Sequence, residues 1–107
     1  MTRGTTPTHT FTLPDNLKTA TISTLYITYA QHGTTVLEKT LVDVTNNNGV
    51  LTCTLTQADT LKFEVLDQHC KHDTVDVQVR LKTSDGVAMA SDIMPVPIRD
   101  ILKDGEI

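Results

Sequence analysis

The chain has no tryptophan, and its 107 residues include only two tyrosines and two phenylalanines. That leaves little aromatic surface for the platforms on which bases and sugars stack. Cysteine is as scarce. Cys53 and Cys70 are too few for the disulfide scaffold of a small secreted domain, and they read as free thiols. No window approaches eighteen apolar residues, so no membrane-spanning helix is expected. The start, Met1-Thr2-Arg3-Gly4-Thr5-Thr6-Pro7, carries no apolar stretch behind its one basic residue and predicts no secretory leader. Positive charge is short too. Nine Lys and Arg against thirteen Asp and Glu give a net charge of -4, which argues against a nucleic-acid partner.

What is present is threonine, roughly a fifth of the chain, a residue that favours strands. At 38% hydrophobic and 21% charged, the composition suits a globular domain, not a disordered chain. The length predicts one domain over residues 1–107 with one modest core. Residues 1–7 read as an extended arm, since Pro7 and the threonines give no helical period. Thr8 to Leu13 alternates, with His9, Phe11 and Leu13 on one face. Thr21 to Gln31 follows, with Leu25, Ile27 and Tyr29 together. His32-Gly33-Thr34 turns the chain into a third strand, Thr35 to Val42. Asn46-Asn47-Asn48-Gly49 is a strong turn signal, and Val50 to Leu55 leaves it with Leu51, Cys53 and Leu55 in phase.

Thr56-Gln57-Ala58-Asp59 has the form of a capping box and predicts a short helix over Gln57 to Leu61. Thr74 to Lys82 alternates most cleanly, with Val75, Val77, Val79 and Leu81 inward. Asp85-Gly86 signals a two-residue hairpin into Val87 to Ile98, whose phase change near Ser91-Asp92 predicts a bulge. Pro95 and Pro97 suit an edge strand with both missing donors on its free side, or a proline-stiffened exit from the sheet. The tail frays over residues 104–107. Six or seven short strands with one helical turn predict an all-β fold. A small antiparallel β-sandwich, immunoglobulin-like or similar, is expected, with a small barrel as the alternative. Its core should contain Phe11, Leu25, Ile27, Leu51, Cys53, Leu55, Val75, Val77, Val79 and Leu81.

Chemistry-bearing clusters are few. His69, Cys70 and His72 are metal-capable, but structural zinc wants four ligands and no CxxC partner exists. Neighbouring strand residues point to opposite faces, so the segment reads as a solvated turn. Cys53 or Cys70 with a histidine such as His9 lacks any nucleophile motif. The chain is therefore expected not to be an enzyme, and no cofactor is expected. Only one of Tyr26 and Tyr29, which fall on opposite faces, can be outside to face a sugar.

Four blocks carry a resemblance. They are Met1-Thr2-Arg3-Gly4-Thr5-Thr6-Pro7-Thr8, Leu55-Thr56-Gln57-Ala58-Asp59-Thr60-Leu61-Lys62-Phe63, Val77-Gln78-Val79-Arg80-Leu81 followed by Asp85-Gly86 and Ala90-Ser91-Asp92-Ile93, and Ile101-Leu102-Lys103-Asp104-Gly105-Glu106-Ile107. In combination they resemble a family of small phage and prophage proteins from gut Firmicutes. Gln68 to Asp73 departs from that pattern. The resemblance implies a β domain encoded among phage structural genes, with no activity to transfer. It makes the protein a non-enzymatic structural or accessory component acting through protein–protein contacts. The implied place is the bacterial cytoplasm on synthesis, with membership of a virion and homo-oligomerisation open. Because the resemblance is strong at both ends, Thr2, Arg3, Thr5, Thr6, Asp104 and Glu106 are the candidate partner-binding residues. The alternative is an adhesive module for a host-surface glycan or receptor; a small regulator that sequesters a host factor is a third reading.

Overall fold

The computed structural model describes residues 1–66 and 72–107. Among these, eight strands and one helix follow in the order β1 (Thr8–Thr12), β2 (Ile22–Gln31), β3 (Thr34–Thr40), β4 (Val44–Asn47), β5 (Val50–Thr54), α1 (Gln57–Leu61), β6 (His72–Thr83), β7 (Ala88–Ala90) and β8 (Met94–Arg99). They form two antiparallel sheets. One has the order β1-β5-β4; the other has the order β3-β2-β6-β7, with β8 also paired to β6. The all-β fold is as expected, with more strands than the six or seven read from the pattern.

The period-2 pattern explains where the core lies. Leu25 faces Leu81, Ile27 faces Val79 and Tyr29 faces Val77 across the β2–β6 ladder. These apolar pairs share one face and are buried, each adding a fraction of a kcal/mol beyond its burial. Leu51, Cys53 and Leu55 oppose them from the other sheet, and Phe63, fully buried, joins the same cluster. Nine of the ten expected core residues are buried. Phe11 is half-buried instead, because β1 is an edge strand and no strand lies beyond it among the described residues.

Local chemistry sets the connections. Thr56 and Asp59 form the reciprocal capping box that opens α1. This single turn carries the chain from the small sheet towards the large one. Asn48 at φ 50 and Gly49 at φ 87 form the tight turn between β4 and β5, the backbone that a two-residue hairpin requires. A Cβ on Gly49 would lie 2.9 Å from the Lys18 Cα, so glycine is needed twice over. β4 was not expected, since Thr45, Asn46 and Asn47 are exposed and poor in apolar signal; the turn folds them against β5. The third strand ends at Thr40, not Val42, because Thr40 and Asp43 cap a 3₁₀ turn over Leu41–Asp43.

The Asp85-Gly86 loop is also longer than expected. The Thr83 N–H donates to the Val87 carbonyl at 2.8 Å, which leaves three loop residues, with Gly86 at φ 94 in the left-handed position of such hairpins. The expected bulge is present. Arg80 faces Ala90 while Val77 faces Met94, so β6 advances three residues while its partner advances four. The extra residue separates β7 from β8.

The pairing order is that of an immunoglobulin-like sandwich. Its sheets run A-B-E-D and C′-C-F-G. With β1 to β6 as B, C, C′, D, E and F, and β7 with β8 as G, every observed pairing agrees. The place of strand A, beside β1, is empty among the described residues. No pairing joins β1 to β8, so the two sheets do not close into a barrel.

Candidate functional site

Strand β1 is an edge strand, paired only with β5. The Leu55 N–H donates to the Pro7 carbonyl at 2.9 Å and the Leu13 N–H to the Gly49 carbonyl at 2.8 Å. These bonds flank the β1–β5 ladder and set its phase, so the backbone of residues 7, 9, 11 and 13 faces β5. Backbone groups alternate sides along a strand, so the N–H and C=O groups of Thr8, Thr10 and Thr12 face away from the sheet. No charged residue lies in β1.

Beneath that edge lies an apolar groove. Two adjoining cavities of about 240 and 230 Å³ share Thr10, Phe11 and Met94. Val77 and Val96 line the first, and Leu13, Val79 and Met89 the second. Met89, Met94 and Val96 are only half-buried. Their inward phase was legible in the sequence, but not that they would lack a covering strand.

The titratable groups around the groove are held in fixed states. His9 Nδ1 and Tyr29 Oη are 2.7 Å apart. Burial, and then the Met1 ammonium, push the His9 pKa down, so the imidazole is neutral at pH 7. Burial, then Cys53 and Asp59, push the Tyr29 phenol well up. Burial likewise raises the Cys53 thiol, opposite to the activation a nucleophile needs. Further along, Lys39 Nζ meets Asp59 Oδ2 at 2.8 Å, and the Thr56 N–H donates to the same oxygen at 2.9 Å. Burial alone would raise Asp59, but Lys39 and Thr56 overcome it and the net shift is downward.

The second open edge, β8, is treated differently. The Met1 carbonyl accepts from the Arg99 N–H at 2.9 Å, and the Arg99 carbonyl accepts from the Arg3 N–H at 3.0 Å. The Met1 ammonium donates to the Pro97 carbonyl at 2.8 Å. Thus residues 95, 97 and 99 face away from β6, and both prolines lie on the outer side; only that placement is as expected, because the side expected to be free carries backbone pairing. The N-terminal segment runs parallel to β8 there, bridging Thr2 to Arg99.

The arm expected over residues 1–7 is thus docked on the sandwich. Arg3, half-buried, donates from Nε to the Phe63 carbonyl at 2.7 Å and from Nη2 to the Leu61 carbonyl at 3.2 Å. Its Nη1 pairs with Asp100 at 2.9 Å and Asp104 at 3.4 Å. The Thr5 carbonyl accepts from the buried Thr60 hydroxyl at 2.8 Å. Arg3 is therefore an internal clasp, and Asp104 is drawn to it. No periodicity could show this, because a lone arginine in a polar arm carries no signal of its carbonyl partners. The Thr5 and Thr6 side chains remain exposed, as does Glu106, while the Ile107 N–H reaches Gln57 at 2.8 Å.

His69 and Cys70, two of the metal candidates, lie outside the described residues. His72 opens β6 and is exposed. Among the described residues, no three His, Cys, Asp or Glu side chains gather as a metal site would require, and no helix is long and apolar enough to cross a membrane. No family model, no curated protein and no solved structure matches the chain.

Proposed function

We propose that the protein is a non-enzymatic structural or accessory component of phage or prophage type, working by protein–protein contact along β1. The phage assignment rests on the four sequence blocks described above. The contact reading rests on one observation, the unpaired edge of Thr8, Thr10 and Thr12 above an apolar groove. Strand addition uses such an edge: main-chain bonds supply attraction and alternate side chains fill the pockets beneath.

The first partner is a second copy of the chain. Antiparallel pairing centred on Thr10 sets Thr10 against Thr10 and Thr8 against Thr12, so every outward group meets its counterpart around a two-fold axis. Two chains of net charge -4 then meet along an uncharged strand, where repulsion is least.

Thr10→Pro tests this. It removes an outward donor, not a bond to β5, and copies the device that β8 already carries. By sedimentation over a concentration series, the wild-type chain should associate and the variant should stay monomeric at unchanged melting temperature. A wild-type chain that remains monomeric throughout overturns the reading, as does equal association by the variant.

A further inference from the structure

The outer face of the larger sheet carries a second site, unrelated to the β1 edge. Tyr26 faces Arg80 and Thr24 faces Lys82 across the β2–β6 ladder. On the far side of β6, Arg80 faces Ala90 and Lys82 faces Ala88. The alanines leave the two cations standing proud above a shallow floor. A groove of about 170 Å³ results, lined by Thr24, Tyr26, Arg80, Lys82 and Ala88. Tyr26 is 43% exposed, while Tyr29, its only companion, is wholly buried.

Two features of this groove point to an anionic ligand. First, Arg80 and Lys82 lie two residues apart on one face, about 7 Å along the strand, and neither forms an ion pair with another described residue. The acids of the same face, Glu38 opposite Thr28 and Asp76 opposite Ala30, lie towards the other end. An acidic chain thus concentrates unpaired positive charge at one place beside its exposed tyrosine.

Second, the backbone there is already used. β2 is paired with β3 and β6, and β6 with β2 and with β7 and β8. The main chain beneath the two cations is therefore not free to grip a peptide; the open edge nearest the groove is that of β7. Two cations are also too few to follow a phosphate backbone, whose binding grows with the number of phosphates neutralised. What the groove offers is an aromatic wall, a hydroxyl and two carboxylate-seeking cations in a space small for a drug-sized ligand.

We propose that this groove binds a carboxylate-bearing sugar residue of an acidic glycan. The Arg80 guanidinium takes the carboxylate, Lys82 adds charge, Thr24 meets a ring hydroxyl, and the sugar's apolar face rests on Tyr26. The site is independent of the contact reading, since β1 lies in the other sheet.

The test is an NMR titration of the full chain with glucuronate, with glucose and acetate as controls. Glucuronate should shift the amides of Thr24, Tyr26, Arg80, Lys82 and Ala88 to saturation, and added salt should weaken it. Glucose and acetate should not saturate over the same range. Tyr26→Ala and Arg80→Gln, both at exposed positions, should each weaken binding roughly tenfold while leaving the spectrum elsewhere and the melting temperature unchanged. Four outcomes overturn the proposal. They are no saturable shift with glucuronate, equal binding of acetate, tighter binding of an oligoglutamate peptide, and tighter binding of a short single-stranded oligonucleotide.

Discussion

The two edges that flank the open side of the sandwich, β1 and β8, meet the same problem with opposite means. An edge strand presents unpaired backbone groups to any passing chain. On β8, prolines at 95 and 97 delete outward donors, and the N-terminal segment covers the remaining groups of Arg99. On β1, threonines at 8, 10 and 12 leave every outward donor and acceptor in place. The segment that an immunoglobulin-like sandwich would lay beside β1 as strand A goes to β8 instead, held there by Arg3. One edge is thus closed twice and the other left open. Edge protection in this fold is local, assigned strand by strand.

Substitutions can separate the two edges. The largest effect should come from removing what both edges stand on. Leu55 is fully buried, so Leu55→Ala should cost about 2–5 kcal/mol in a urea titration and loosen β1 and the arm together. Arg3→Ala should cost about 1–3 kcal/mol, since it strips charge-assisted bonds from two carbonyls and leaves Asp100 without its guanidinium. Hydrogen exchange should then rise at the Arg99 amide and not at Leu55, which shows that the β8 closure alone has opened.

Gly49→Ala should cost about 1–2 kcal/mol, from its left-handed φ and from the approach of Lys18. It should fray the β4–β5 turn without touching β8. The smallest effect is the pH response of the open side. His9 is held neutral in the fold, so near pH 6.5 the unfolded chain binds more protons than the folded one. Stability should be full above the unfolded value of 6.5 and decline as pH falls through it towards the lower folded value. His9→Gln should flatten that slope in urea titrations at stepped pH; an unchanged slope would place its origin at another histidine.

The elements differ in how far they could be read in advance. β6 was plain because burial on one face forces strict alternation, and Val75, Val77, Val79 and Leu81 obey it. α1 was plain because its cap is chemical and local: Thr56 and Asp59 need no distant partner. β4 was hidden because its residues are exposed and its strand character comes from the turn at Asn48 and Gly49. Of the candidate partner residues, Thr6 and Glu106 stay exposed and the exposed Thr5 hydroxyl donates to the Thr2 carbonyl, whereas Arg3 is turned inward. The Tyr26 groove could have been anticipated in part, since Tyr26, Arg80 and Lys82 were all outward by phase. That they would lie on adjacent strands in register was not legible.

The amino-acid order by itself determined the faces of β2, β5 and β6, the helix start, the Asn48-Gly49 turn, the bulge and the outward placement of both prolines. Each of these depends on residues within a few positions of one another, where sterics and periodicity act. Only the tertiary structure decided which edges were covered, that the first seven residues closed β8 and left β1 open, and that two cations shared a face with the exposed tyrosine. Those outcomes join residues as far apart as Arg3 and Asp100, or Tyr26 and Arg80, and depend on which strands lie beside each other.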